Sequence, residues 1–309
     1  MLDVRIDLHT HSSVSDGTDD PAALVRAAAD AGLDVVALTD HDTTAGWRAA
    51  AEALPPGLTL VPGAELSCES VDDEGRRVSV HLLAYLFDPT APELVAEQER
   101  LRIERRGRLR AIAVRMAEDG LPVDPDDLLA GLPADTAAGR PHLARALVRA
   151  GLVHSVQEAF DRYLANGRDY YMAKADTPVE AAIDLITAAG GATVLAHPFA
   201  DTRGPTITEE TVAVLARRGL SGLEIDHPDH DPAARARLAA LAEDLDLVRT
   251  GSSDYHGANK SATPGQETTD PAQFAALVER ASANAGGAGP TTRPVGGAWG
   301  AWEEAGTGS

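Results

Sequence analysis

The sequence predicts an α/β protein in which seven short strands alternate with helices. Two observations support this prediction. Short apolar, β-branched runs recur along the chain, and Ala-rich stretches of helical composition lie between most of them. Several of those stretches begin with the capping signals of helix N-termini. Strands that alternate with helices imply a parallel sheet with crossover helices. Seven of them indicate either a closed or nearly closed barrel or a doubly wound sheet.

The strands are predicted from apolar runs that are bounded by polar or Gly- and Pro-containing segments. In chain order they are Val4–Leu8, Asp34–Leu38, Leu58–Val61, Val78–Ala84, Ala192–Leu195, Gly222–Ile225 and Leu247–Arg249.

The helix starts are predicted from pairs in which a capping carboxylate precedes a proline, because proline is tolerated at the first helical position. Such pairs occur at Asp20-Pro21, Asp231-Pro232 and Asp270-Pro271. The segment Thr177-Pro178-Val179-Glu180 has the pattern of a capping box with the same proline.

The alternation is interrupted between residues 93 and 171, where Leu109, Ile112 and Met116 recur at helical spacing. We therefore predict an inserted helical subdomain over residues 93–171, within a discontinuous barrel formed by residues 1–92 and 172–282. Residues 283–309 are rich in Gly, Ala, Pro and Thr, which predicts a disordered tail, although Trp299 and Trp302 could dock.

Composition narrows the class of protein. The chain has 309 residues, of which 44% are hydrophobic and 24% are charged, as in ordinary globular proteins. Its formal net charge of -21 argues against duplex DNA or an anionic membrane as a partner. That charge does not exclude a phosphate substrate, since bound divalent cations can reverse the local sign inside a cleft.

The cellular compartment is predicted from cysteine usage and from apolar runs. A single cysteine, Cys68, permits no internal disulfide and is typical of a reducing compartment. The sequence has no apolar run of membrane-spanning length and no visible secretory signal. We therefore expect a cytoplasmic protein, and the oligomeric state stays open.

Histidine, aspartate and glutamate collect where the predicted strands end. His9 and His11 are two residues apart at the end of the first strand, so their side chains can face one point. Functional groups of parallel α/β barrels gather at this rim. The others at or within strand ends are Asp40, His41, Asp42, Glu65, His81, His197, Asp226, His227, His230, Asp254 and His256.

Some of these residues have an ordinary structural interpretation when each is considered alone. His230, and His154 in the helical segment, would then be hydrogen-bonded surface residues, and Asp40 and Asp42 are as readily helix caps or turn residues. The whole set is harder to obtain by chance. Imidazole and carboxylate ligands without thiolate suit Zn, Mn or Fe, and their number implies two or three metals. Paired metals typically hydrolyse phosphate esters or amide-like bonds.

These residues also carry a family resemblance. The sequence is similar to the PHP (polymerase and histidinol phosphatase) family over residues 1–260. Within the helical segment, Arg140-Pro141-His142 followed by LARALV resembles the subgroup of nucleoside 3',5'-bisphosphate phosphatases, which also act as 5'-to-3' exonucleases on short RNA. The motifs are Asp7-Leu8-His9-Thr10-His11-Ser12, Thr39-Asp40-His41-Asp42, Pro62-Gly63-Ala64-Glu65, His81, Ala196-His197-Pro198 and Ser253-Asp254-Tyr255-His256.

The resemblance implies a distorted seven-stranded (β/α) barrel with an inserted small helical domain and a trinuclear metal site. The metals would be manganese, with iron or zinc as alternatives. The implied ligands are His9, His11, Glu65 and Asp254 for the first metal, Glu65, His81 and His197 for the second, and Asp16, His41 and His256 for the third.

The predicted reaction is attack of metal-activated hydroxide on phosphorus. Arg140 and His142 are expected to hold one phosphate of the substrate, a phosphorylated nucleotide or a short RNA end. Arg105 and Arg106 are candidates for drawing in an anionic chain end. His227 either protonates the leaving oxygen or supports the residues that touch the metals.

Three alternatives stay open at this point. The first is another phosphatase of the same family, of the histidinol-phosphate type. The second is a metal hydrolase acting on C–N bonds, and the third is a metal-stabilised module with a non-catalytic binding role. The choice between a mononucleotide and an RNA end as substrate also stays open.

Overall fold

A computed structural model describes residues 4–72 and 74–296. The strands of this part are β1 Ile6–Asp7, β2 Val35–Leu38, β3 Thr59–Val71, β4 Arg77–Tyr85, β5 Thr177–Pro178, β6 Ala192–Ala196, β7 Gly222–Asp226, β8 Val248–Gly251 and β9 Val295–Gly296. The helices are α1 Pro21–Asp30, α2 Trp47–Glu52, α3 Pro92–Glu118, α4 Pro125–Ala130, α5 Arg140–Arg149, α6 Val156–Ala159, α7 Val179–Ala188, α8 Glu209–Arg218, α9 Pro232–Asp244 and α10 Pro271–Asn284.

The seven predicted strands form one continuous path through the sheet. Their order is β1-β2-β3-β4-β6-β7-β8. β1 and β8 are the two ends of this path, and the segments that follow them are joined. Thr10 forms a parallel bridge with Tyr255, and the His11 amide donates to the Tyr255 carbonyl at 2.8 Å. The sheet is therefore a nearly closed barrel, which confirms the barrel prediction over the doubly wound sheet.

One strand departs from the predicted parallel sheet. β4 pairs antiparallel with both β3 and β6. The described residues between β3 and β4 form no helix. β3 continues past the predicted Val61 to Val71, and Asp72 accepts from the Glu74 and Arg76 amides in the tight turn that follows. The sequence prediction missed the hairpin because Pro62-Gly63 was taken as a strand end rather than as part of one long strand.

Two apolar layers hold the barrel together, because alternate residues of each strand face opposite sides. Along β4, Val80 and Leu82 pack outward against α7, α8 and α9. Leu83 and Tyr85 pack on the other side with residues of β1, β2 and α10. Buried apolar contact of this kind is the main stabilising contribution to the fold.

The helix caps confirm three of the four predicted starts. The side chains of Asp20, Asp231 and Asp270 accept from backbone amides of α1, α9 and α10. The fourth prediction is wrong. Thr177–Pro178 forms β5 beside β3, and Pro178 precedes α7 without a side-chain cap. The Thr177 hydroxyl bonds instead to Glu97 of α3, a partner that the local sequence does not reveal.

The predicted helical segment contains α3 to α6 and a single π-helical turn over Phe160–Leu164. Leu109, Ile112 and Met116 are buried, as their spacing predicts, and form a separate apolar cluster with residues of α5 such as Leu143 and Leu147. This cluster gives the segment its own core beside the barrel.

The start of the predicted disordered tail is ordered. The Thr292 amide donates to the Leu86 carbonyl, and β9 pairs antiparallel with β3 at Thr59 and Leu60. The prediction from composition missed this pairing, because the segment is held by a free edge of β3 and not by apolar side chains of its own. Trp299 and Trp302 lie outside the described residues. Among the described helices, none has the length and apolar character that crossing a membrane requires.

Candidate metal centre

Histidine and carboxylate side chains from most strands of the path meet at one end of the barrel. The C-terminal ends of β1, β2, β6 and β8 point to this rim, as in other parallel α/β barrels. The set that we call the ligand cluster consists of His9, His11, Asp16, His41, Glu65, His81, His197, Asp254 and His256, and most of its members are buried.

The antiparallel β4 explains why His81 lies within its strand rather than at an end. His81 is in register with Ala196, the last residue of β6, and with Ser67 of β3. This register places His81 beside His197, and their rings meet edge to face with centroids 5.4 Å apart.

Glu65 is at the centre of the cluster. One carboxylate oxygen, Oε2, lies 3.1 Å from a ring nitrogen of His11, 3.1 Å from one of His41 and 3.3 Å from one of His9. The other oxygen, Oε1, lies 2.8 Å from His81 Nδ1 and 3.3 Å from His197 Nε2. One buried carboxylate thus faces five imidazoles, a number that exceeds its capacity for good hydrogen bonds.

A second group forms around Asp16, in the loop after β1. Its Oδ1 lies 3.2 Å from His256 Nε2, and its Oδ2 lies 3.7 Å from His41 Nε2. One donor atom from each of His11, Asp16, His41 and His256 lies within 4.8 Å of the others. Asp16 therefore joins the cluster, although it lies in a loop and not at a strand end.

Asp254 completes the cluster on the β8 side. Its Oδ1 lies 3.5 Å from Nε2 of both His9 and His11. Its Oδ2 lies 3.3 Å from His227 Nε2 and 2.6 Å from Lys260 Nζ. Asp254 has a φ of 53° and His197 a φ of 32°, both in a region that non-glycine residues seldom adopt. Such backbone strain is typical of functional sites.

The donor atoms of this cluster fit metal ions. Asp16 Oδ1 and His41 Nδ1 are buried and have no hydrogen-bond partner among the described residues, although other donor atoms lie close. Buried polar atoms without a hydrogen bond are costly, and an ion bound beside each of them would remove that cost. Imidazole nitrogen and carboxylate oxygen are the ligands that Mn, Fe and Zn accept.

The charge states of His41 and Glu65 also suit metal binding. Burial lowers the pKa of His41 well below its ordinary value, which keeps its imidazole neutral and able to ligate. Burial alone would raise the pKa of Glu65, but the neighbouring His81 and His9 hold it well below its ordinary value. Glu65 is therefore a carboxylate and a suitable bridge between cations.

The sequence analysis missed Glu224, which stands in β7 among apolar residues. Its Oε1 accepts from His9 Nδ1 at 2.9 Å, and its Oε2 accepts from the His197 amide at 2.7 Å. A carboxylate that holds one ring nitrogen of a histidine turns the other nitrogen toward a metal. The signal available in the sequence was a glutamate among the apolar residues of a predicted strand, in the segment LEID. In the structure this glutamate is fully buried.

Asp7 and Asp40 organise the loops of the rim. Asp7 accepts from the amides of His9 and Ser253, and so ties the end of β1 to the segment after β8. Asp40 accepts from the Ser12 amide at 2.8 Å and from the Ser15 hydroxyl at 2.6 Å. These contacts agree with the interpretation of Asp40 as a turn residue.

Three predicted candidates lie at the edge of the site or outside it. Asp226 is exposed and lies 3.3 Å from Arg235. His230 bonds through Nδ1 to the Ile225 carbonyl at 2.8 Å, which is a structural contact. His154 is exposed in the helical segment. The ordinary interpretation as a surface residue agrees with the exposure of His154, whereas His230, expected at the surface, is buried.

His227 lies beside the cluster and is buried. Its Nδ1 accepts from the Asp229 amide at 2.9 Å, so the ring proton belongs on Nε2, which faces Asp254.

The expected substrate residues take different positions. Arg105 is buried, and its guanidinium donates hydrogen bonds to the Asp42 carboxylate and to the Ser67 hydroxyl oxygen. These contacts anchor α3 to the rim, and the guanidinium does not face open solvent. Arg106 donates to the Pro133 carbonyl at 2.8 Å and braces the loop after α4. Both guanidiniums therefore have partners within the protein, and their expected role in drawing in an anionic chain end stays a prediction.

Arg140 and His142 open α5. His142 Nδ1 accepts from the Gly139 amide at 3.1 Å, and burial together with Arg145 lowers the pKa of His142 to about 4. Arg140 donates to the Leu164 carbonyl at 2.8 Å, and its guanidinium lies 5.4 Å from the centre of the Tyr171 ring.

Residues 7–123 match the family described as PHP domain. The chain is 34% identical over 263 residues to the 5'-3' exoribonuclease Rnm of Escherichia coli, with 82% of this chain and 85% of that protein covered. It is 30% identical to the 3',5'-nucleoside bisphosphate phosphatase of Chromobacterium violaceum, over 86% of this chain and 92% of that protein.

A solved structure from Bifidobacterium adolescentis, assigned as a metal-dependent phosphoesterase, superimposes with a TM-score of 0.83 and 35% identity. The superposition covers 90% of this chain and 96% of that chain.

Proposed function

The chain belongs to the PHP family of metal-dependent phosphoesterases, and from this premise we propose that its substrate is a phosphorylated nucleotide end. The proposed reaction removes the 3'-phosphate of a nucleoside 3',5'-bisphosphate, nucleotides from the 5' end of a short RNA, or both. The relatives in Chromobacterium violaceum and Escherichia coli carry these two activities in their names.

The observation that carries this proposal is the arrangement around Glu65. A carboxylate that faces five imidazoles within 3.3 Å can bridge two cations. Sites with paired cations hydrolyse phosphate esters by stabilising both the attacking and the leaving oxygen.

We propose that the metals are manganese, with iron or zinc as alternatives, and that two or three are held. The proposed ligand sets are His9, His11, Glu65 and Asp254, then Glu65, His81 and His197, and finally Asp16, His41 and His256. When bound, such ions supply Lewis acidity toward phosphoryl oxygens and lower the pKa of water.

His227 is the proposed proton donor. Because the Asp229 amide occupies Nδ1, the proton on Nε2 points toward the Asp254 side of the cluster. Donation of that proton to the departing ribose oxygen would prevent an alkoxide from forming, and water would return the proton afterwards.

Arg140 and His142 are the proposed phosphate contacts of the helical segment. The Nδ1 of His142 is used by the Gly139 amide, so its Nε2 carries the proton and can donate to a phosphate oxygen. Arg140 adds a charged fork whose two parallel N–H groups match two oxygens of a phosphate.

The test measures inorganic phosphate release together with metal content. We expect two to three divalent metals per chain and faster hydrolysis of adenosine 3',5'-bisphosphate than of histidinol phosphate. His11→Ala should abolish phosphate release and lower the metal content, whereas His154→Ala, at an exposed histidine, should change neither.

A preference for histidinol phosphate would replace the proposed substrate by that of another phosphatase of the family. Hydrolysis of an amide or ureide without phosphate release would indicate C–N chemistry. A metal-loaded protein that cleaves no phosphate ester would indicate the non-catalytic alternative.

A further inference from the structure

Lysine is scarce in this chain. Of its 27 basic residues, two are lysines, Lys174 and Lys260, and the others are arginines. The two side chains are not interchangeable, since lysine offers a compact ammonium with three rotatable donors and arginine a planar fork. A lysine at position 260, four residues after the cluster residue His256, therefore indicates a place that suits a compact ammonium.

Lys260 contacts a carboxylate of the ligand cluster. Its Nζ lies 2.6 Å from Oδ2 of Asp254, whereas Oδ1 of Asp254 faces the ring nitrogens of His9 and His11 at 3.5 Å. The inner oxygen of this carboxylate thus faces the imidazoles, and the outer oxygen faces the ammonium. The Asp254 side chain is buried, but that of Lys260 is 36% exposed. Lys260 therefore lies between the ligand cluster and solvent.

The segment that carries Lys260 is fixed to the rim. A short 3-10 turn directly precedes Lys260. In this turn the side-chain amide of Asn259 donates to the Asp16 carbonyl at 2.6 Å. Gly257 has a φ of 63°, and a Cβ at this position would overlap the Thr18 hydroxyl, so the turn requires glycine here. These contacts hold the start of the Lys260 side chain at a defined distance from the cluster.

The ammonium of Lys260 retains donors that the fold does not use. It carries three N–H groups. Among the residues that the structure describes, the one hydrogen bond that it donates goes to the Asp254 carboxylate. The same oxygen of Asp254 lies 3.3 Å from Nε2 of His227, the proposed proton donor. Lys260 and His227 are therefore neighbours, and the partly exposed ammonium can donate to a group that approaches them.

We propose that Lys260 is a catalytic residue whose ammonium binds a non-bridging oxygen of the phosphate that is cleaved. This inference rests on the proposed function, because it adds a contact to the same reaction. When the bond between phosphorus and the ribose oxygen breaks, the ribose oxygen takes its proton from His227, and Lys260 keeps its own protons. The ammonium stabilises the negative charge on the non-bridging oxygens in the transition state.

A purely supporting role of Lys260 predicts a different result. A residue that only orients Asp254 would change the affinity of the protein for metal. A residue that binds the reacting phosphate changes the turnover at saturating metal and the affinity for inorganic phosphate. Measuring the metal affinity beside the other two quantities therefore separates the two roles.

The test compares Lys260→Met, which removes the charge and keeps an unbranched side chain, with Lys260→Arg, which keeps a charge beside Asp254. Arg249→Met is the matched control, because it makes the same change in net charge at an exposed residue of β8. For each protein saturated with manganese, kcat and KM are measured with adenosine 3',5'-bisphosphate and with p-nitrophenyl phosphate. Competition with a chelator gives the metal affinity.

We expect Lys260→Met to lower kcat about 10- to 100-fold with both substrates, the loss of one hydrogen bond to a charged group that both substrates share. Lys260→Arg should recover part of kcat, and Arg249→Met should keep all of it. An unchanged kcat in Lys260→Met, with or without weaker metal binding, would overturn the proposal while the proposed function stands. A loss confined to the bisphosphate would overturn it as well.

A binding measurement separates Lys260 from the proposed function. Inorganic phosphate should bind to the manganese-loaded wild type in titration calorimetry. Lys260→Met should weaken this binding about 10-fold, and Arg249→Met should not. If the wild-type protein hydrolyses neither substrate, the proposed function fails, and the phosphate affinities alone decide the role of Lys260. Equal affinity in wild type and Lys260→Met, or no binding to either, would overturn that role.

A second variant covers a failure of Lys260→Met to fold. Lys260→Gln carries no charge but keeps an amide that can donate to Asp254. It should show the same loss of kcat and of phosphate affinity as Lys260→Met. Wild-type values in Lys260→Gln would contradict the need for a cation at this position.

Discussion

The ligand cluster adjoins a second charged region, the arginine cluster of Arg105, Arg108, Arg140 and Lys174, and the two regions differ in how their charges are paired. In the ligand cluster, the Glu65 carboxylate and its neighbouring imidazoles face one another closely. In the arginine cluster, Arg108 and Arg140 form no ion pair with a carboxylate of residues 4–72 or 74–296. The contact between Asp42 and Arg105 joins the two regions.

The two regions also differ in the elements that build them. Most residues of the ligand cluster lie in strands or directly after them, and the positions of those strands are fixed by the ladders and closure of the barrel. The arginine cluster stands on α3, the start of α5 and the segment near Tyr171. We infer that the barrel provides the shared chemistry of the family, and that the helical segment sets which phosphate ester is accepted.

The largest effect should come from Glu65→Gln, which removes the carboxylate that five imidazoles face. An amide is a poor bridge between cations, so we expect at least a thousandfold loss of kcat, in the range of lost metal catalysis, and a lower metal content by elemental analysis. The control is Glu69→Gln on the same strand, where the side chain pairs with Arg77 near the surface. Full metal content in Glu65→Gln would contradict the central position of Glu65.

The next effect concerns stability and tests whether Arg105 belongs to the fold rather than to the substrate. Arg105→Met leaves the buried carboxylate of Asp42 without its partner. Removing one member of a buried ion pair costs about 3–5 kcal/mol in the free energy of unfolding, measured by urea denaturation. Arg110→Met breaks an exposed pair and should change that free energy little. Equal stability of the two variants would mean that Arg105 is no anchor.

The smallest effect tests a residue that orients the ligand cluster without joining it. Glu224→Gln keeps the size of the side chain but weakens the acceptor that holds His9 Nδ1. Loss of such a supporting contact costs about 10- to 100-fold in metal affinity. Competition with a chelator measures this affinity, and Glu243→Gln, exposed on α9, is the control. If kcat falls in Glu224→Gln while metal affinity is unchanged, Glu224 acts on the substrate instead.

Local sequence was sufficient for much of the barrel. Each of the seven strands has an apolar, β-branched core that a short window reveals, and most of the cluster residues follow those cores directly. His9, Glu65 and His197 could therefore be placed at one rim before their distances were known. The hairpin of β3 and β4 was missed, because strand direction depends on which partner is available and not on composition.

The sequence by itself determined the succession of strands along the chain and the chemical type of the residues at their ends. Only the tertiary structure decided which of the charged residues have a partner of opposite charge. The Asp42 carboxylate and the Arg105 guanidinium are 63 positions apart in the chain, and His9 and Glu224 are 215 apart. Periodicity and capping act over a few residues, whereas the energy of a buried charge depends on whatever partner the fold brings within a few ångströms. For that reason the unbalanced charge of Arg108 became visible only in the folded chain.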